Sequence, residues 1–148
     1  MVNPFDPRTV LLDKHAQHVV LIHFPIALFL SGVIFDLVSR GRRTSPWASA
    51  AYLNLTAAAI TVFPAIATGL LAWQFALDGK RLQGLLLLHL VGGGCTALLL
   101  VGTWILHWRA RHTETIVFPR YRISLELFGV AIMALTAHLG GFLSGVNY

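Results

Sequence analysis

Four long apolar runs, separated by short stretches that hold almost all of the charge, decide what this chain can fold into. The runs are Val19–Val38, Trp47–Leu77, Leu85–Trp108 and Ile123–Val146. Each is long enough for a helix to cross a hydrocarbon core of about 30 Å, which takes about 20 residues. Lipid offers backbone groups no hydrogen bonds, so only helices and closed barrels span it. None of the runs shows the apolar–polar alternation of a barrel strand. A composition of 56% hydrophobic and 11% charged residues, with mean hydropathy +0.71, is more apolar than a soluble core requires. The expected fold is therefore all-α: an integral membrane four-helix bundle running up-down-up-down, with both termini on one side. The spans fall at about residues 18–39, 47–77, 84–108 and 122–146. Residues 1–17 form a polar prelude, with a short surface helix expected around Thr9–Gln17, and residues 18–148 form a single transmembrane domain.

The formal charge of +5 is a topological signal rather than a nucleic-acid footprint, because the cations sit in the connections. The side that carries the termini and the middle loop, side A, holds Arg8, Lys14, Lys80 and Arg81. Side B holds Arg40, Arg42, Arg43, Arg109, Arg111, Arg120 and Arg122. This bias assigns side B to the cytoplasm and side A, with both termini, to the periplasm of a bacterial inner membrane. The opening MVNPFDPRTVLLDKHAQ has no cleavable-signal pattern, so the first crossing itself is expected to direct insertion. Cys95 is the only cysteine, which excludes an internal disulfide, and the chain has no CxxCH for covalent c-type haem.

Histidine is rare and expensive at membrane depth and marks function there. His18 and His23 open the first crossing about 140° apart around the helix. His89 opens the third, and His138 lies near the end of the fourth. Counted from Lys14, Arg81 and Tyr148 at about 1.5 Å per residue, His23, His89 and His138 lie about 12–15 Å inward, with His18 slightly shallower. Four imidazoles on three helices are thus expected in the side A third of the bundle. Small residues accompany them: Gly92, Gly93 and Gly94 in the third crossing, Thr68 and Gly69 in the second, and Gly140 and Gly141 in the fourth. Each helical glycine costs roughly 1 kcal/mol relative to alanine, so something must pack close to compensate.

Three uses of this arrangement stand open. One is a b-type haem held by two histidines, His89 with His23 or His138 and then His18, with Gly92, Gly93 and Gly141 along the macrocycle. Copper or zinc on His89, His23 and His138 is another. The third is no cofactor, with the imidazoles bonding backbone and headgroups. Side B looks inert by comparison. Asp36 reads as an interfacial carboxylate beside Arg40, and His107 as an interfacial histidine beside Trp104, Trp108 and Arg109. His112 falls in a basic loop, and Glu126 is too far from the histidines to assist them. No catalytic residue is expected.

The motifs His18-x4-His23-Phe24-Pro25-Ile26-Ala27-Leu28, His89 at the head of the third crossing, and His138-Leu139-Gly140-Gly141 resemble an uncharacterised bacterial membrane family, catalogued as domain of unknown function 2231. The resemblance covers nearly the whole chain. Val19 stands where that family commonly has proline, and the tail FLSGVNY departs from its usual ending. The family has no assigned activity, and its layout is similar to that of membrane cytochrome b proteins. The resulting expectation is an electron-transfer subunit with one b-type haem near the periplasmic face, serving a respiratory or photosynthetic assembly and a periplasmic electron carrier. The alternative is a cofactor-free accessory subunit of such a complex. Membrane lipids and protein partners are expected in either case, and no nucleic acid.

Overall fold

The computed structural model describes residues 12–39, 42, 44–112 and 121–145, and the chain forms four α-helices. They are α1 (Lys14–Ser39), α2 (Pro46–Ala76), α3 (Gly84–His112) and α4 (Arg122–Leu143). All four are long and apolar enough to cross a membrane. Asp13 starts α1 by accepting the backbone N–H groups of His15 and Ala16 at 2.7 and 3.2 Å, as an N-cap carboxylate does. Lys14–Gln17, expected in the prelude, therefore belong to the first helix; the rest of the expected surface helix, before Leu12, lies outside the described residues. Pro25 sits within α1 and Pro64 within α2, and neither ends its helix. Ser45 caps α2, accepting from the Trp47 N–H at 3.3 Å, with Pro46 at the first helical position.

The α2–α3 connection turns on Asp78 and Gly79, both with positive φ, and is clasped by the Trp73 indole N–H donating to the Lys80 carbonyl at 2.8 Å. The third helix runs about one turn beyond its expected end. His112, expected in a loop, is in its last turn, where Nδ1–H donates to the Trp108 carbonyl at 2.8 Å. Helix α4 ends at Leu143, and Ser144 and Gly145, expected in the fourth span, form a turn in which Gly145 has positive φ; Val146 and Tyr148 lie outside the described residues.

The bundle is two antiparallel hairpins. Contact is densest between α1 and α2 and between α3 and α4, and sparser across the hairpins. The core, built from Phe29, Val33, Leu55, Ala58, Ala59, Val62, Leu100 and Met133, fills the middle. Close approach depends on Gly32, where a Cβ would stand 2.9 Å from the Leu55 side chain and 3.3 Å from its backbone nitrogen. On the second hairpin the buried residues are unevenly placed. Leu100, Thr103, His107 and Ala110 of α3, and Arg122, Glu126, Gly129 and Met133 of α4, all lie in the middle or toward side B. No described residue of α3 before Leu100, or of α4 after Met133, is buried. The hairpins bury more side chains against each other toward side B than toward side A.

Candidate functional site

At side A the structure pairs two imidazoles across the hairpins. His18 of α1 and His89 of α3 have ring centroids 6.4 Å apart and planes at 81°. Each is anchored to the opposite helix of its own hairpin. His18 Nδ1–H donates to the Ala65 carbonyl of α2 at 3.1 Å and lies 3.4 Å from the Thr68 hydroxyl. His89 Nδ1–H donates to the Thr136 carbonyl of α4 at 3.0 Å. Each ring also lies against a glycine: a Cβ on Gly69 would be 2.9 Å from His18 Cε1, and one on Gly140 would be 2.9 Å from His89 Cε1. A carbonyl that accepts from one ring nitrogen fixes the tautomer and leaves the other nitrogen's lone pair for a ligand. Here that nitrogen is Nε2 on both rings.

The other side A histidines are differently engaged. His23 is exposed and turns back along its own helix, donating Nδ1–H to the Val19 carbonyl at 2.6 Å. His138, also exposed, packs edge-on against Phe142 at 4.8 Å. The ring beside His89 is thus His18, where the sequence favoured His23 or His138. Among the glycines, Gly92 faces Thr136, whose Oγ1 would be 2.5 Å from an added Cβ, so it serves α3–α4 contact. Gly93 and Gly94 have no such neighbour within 4 Å. The Gly141 carbonyl accepts from the Ser144 hydroxyl at 2.9 Å.

Side B corrects the sequence reading more strongly. Asp36, expected at the interface, is 1% exposed, and its Oδ2 lies 2.8 Å from Arg122 Nε on α4. Arg40, its expected partner, lies outside the described residues. His107, also expected at the interface, is 4% exposed and donates Nε2–H to Glu126 Oε1 at 2.8 Å. Arg122, counted above as a topological charge, is turned inward at 5% exposure, with Nε 3.7 Å from Glu126 Oε1 one helical turn on. Burying charge is expensive unless it is paired, so these groups share one another across α1, α3 and α4. Ligand atoms of Asp36, His107 and Glu126 lie within 4.8 Å of each other. A cleft of about 290 Å³ runs along this group, lined by Asp36, Ser49, Tyr52, His107 and Arg111 among others. The Arg111 guanidinium sits over the Tyr52 ring at 4.8 Å.

A signal for this cluster was available. Asp36, His107 and Glu126 each lie within about one and a half turns of the side B ends of their helices, the same equal-depth test that singled out the side A histidines. Arg122 and Glu126 also share a helical face at i, i+4.

Fold and site together define a small four-helix membrane protein with polar groups concentrated at its two ends. The chain belongs to the DUF2231 family, described as a predicted membrane protein, whose profile matches residues 14–146. No curated protein and no solved structure gives a significant match to it.

Proposed function

We propose that the protein is a membrane electron carrier that holds one b-type haem between His18 and His89, near the side A face. The observation that carries this reading is the spacing of the two rings. With metal–nitrogen bonds of about 2.0 Å and ring nitrogens about 1.1 Å from the ring centre, two imidazoles that shared one metal would have centroids up to about 6.2 Å apart. His18 and His89 stand at 6.4 Å. Both are fixed by Nδ1 to a carbonyl on a neighbouring helix, the support that metal-bound histidines characteristically have. The surroundings are compatible with a flat ligand: Gly93 and Gly94 leave open space, and no described residue at this end of the second hairpin is buried. Haem iron supplies one-electron chemistry when bound. His18 and His89 position it, while the apolar helix faces around them lower the local dielectric.

The same reading places the protein in a bacterial inner membrane with side A periplasmic. Without the buried Arg122, side B still carries Arg40, Arg42, Arg43, Arg109, Arg111 and Arg120 against Arg8, Lys14, Lys80 and Arg81 on side A. The electron partner is then a periplasmic carrier or a neighbouring subunit of a membrane complex.

The test is a visible spectrum of the purified protein with metal analysis alongside. A reducible b-type absorption with one iron per chain is expected. Stoichiometric copper or zinc without that absorption would assign the His18–His89 pair to another metal. Absence of both, after expression with haem supplied, would leave a cofactor-free subunit and end the electron-carrier reading.

A further inference from the structure

We infer that the Asp36–Arg122–Glu126–His107 cluster is a proton-binding site that exchanges one proton with the side B solution through the cleft beside it. The inference is independent of the haem proposal and concerns the opposite end of the bundle.

The charges give the first argument. Two carboxylates face one guanidinium, and the remaining member is an imidazole. With that imidazole neutral, the formal charges of these four described groups sum to one negative charge, at between 0 and 5% exposure. A single proton on the His107–Glu126 pair removes it and leaves two matched pairs, Asp36 with Arg122 and His107 with Glu126. In a weakly polarisable interior the balanced form avoids the cost of an unpaired buried ion. A divalent metal on the same three donors would neutralise both carboxylates and leave the buried Arg122 without a counter-charge in the cluster.

Geometry gives the second. The His107 Nε2 to Glu126 Oε1 distance of 2.8 Å is a direct hydrogen bond along which a proton passes between the partners. Glu126 Oε2 is buried without a hydrogen-bond partner among the described residues, so one carboxylate oxygen is left over for a proton.

Access gives the third. The cleft of about 290 Å³ touches Asp36 and His107 directly and has room for several waters at about 30 Å³ each. Its Ser49 and Tyr52 hydroxyls and the Arg111 guanidinium provide a polar wall. On the other side, Val33, Leu55, Leu100 and Met133 form an apolar plug between the cluster and side A. Exchange is therefore with side B alone. The titratable and charged groups on the packed elements are Asp36 from α1, Tyr52 from α2, His107 and Arg111 from α3, and Arg122 and Glu126 from α4.

Infrared pH-difference spectra of the full chain in lipid nanodiscs, with isotope-labelled histidine, test this by reading carboxyl and imidazole bands together. Across about pH 5 to 8, the range around physiological pH, the wild type should show one transition assigned to the pair. Glu126→Gln balances the charges without a proton and should abolish it. His107→Gln should abolish it as well, Glu126→Asp should retain it at a displaced midpoint, and His23→Gln at side A should leave it unchanged. A wild type with no transition in that range overturns the proposal. So does a transition that survives both Glu126→Gln and His107→Gln, or a stoichiometric metal ion that is lost from those two variants.

Discussion

The two ends of this bundle solve the cost of polar side chains in a membrane in opposite ways. At side B, four ionisable groups from three helices are turned inward and pair with one another at close range. At side A, two imidazoles are each tied to a carbonyl by one nitrogen, the other having no hydrogen-bond partner among the described residues, and the nearby helix faces are small and open. His89 and His107 lie on the same helix, about 27 Å apart at about 1.5 Å per residue, so one element serves both ends. A network of buried ion pairs ties helices together. A half-satisfied pair, fixed in orientation, is ready to hold something else. The lesson is that histidine at membrane depth reports function only once the use of both its nitrogens is known.

The comparison breaks most visibly at the histidines. His18→Ala and His89→Ala should each abolish haem absorbance in the purified protein, whereas His23→Ala and His138→Ala should retain it. Loss only with His23 or His138 would move the site off the 6.4 Å pair. A large stability effect is expected next, at the other end. Arg122→Met leaves the buried Asp36 and Glu126 carboxylates together without their cation and should cost about 3–5 kcal/mol in reversible unfolding. Combining it with Asp36→Leu should recover much of that loss, and the double-mutant cycle measures the coupling. Additivity of the two changes would show that the α1–α4 ion pair contributes nothing.

Smaller effects sharpen the picture at side A. Gly69→Ala and Gly140→Ala add a methyl 2.9 Å from His18 and His89 respectively, so each ring must shift. Haem affinity should fall in both, by less than in the alanine variants of the histidines, while helix content by circular dichroism stays constant. Gly93→Ala meets no neighbour within 4 Å and should change stability by no more than about 1 kcal/mol in the favourable direction. A strongly destabilised Gly93→Ala protein would show that this face is packed rather than open.

What could be read before folding, and what could not, follows the same division. The four crossings, their antiparallel order and the levels of His18, His89 and His138 are one-dimensional quantities. Apolar length and distance from a charged flank fix them because the bilayer imposes a single thickness on every helix. The family motifs added membership, which the match over residues 14–146 bears out. The choice of His18 as the ring beside His89 was not legible. It depends on how each helix is rotated about its axis, and Gly69 and Gly140 allow the two rings to lie close to the neighbouring helices. The side B cluster was hidden for a related reason. Arg122 looks like one more loop cation, and Asp36 like an interfacial acid, until α1 and α4 are brought together. Sequence alone set where along the membrane each polar group would stand. Tertiary structure decided which of them meet, because the partner of a buried charge or an imidazole is chosen by packing between helices remote in the chain.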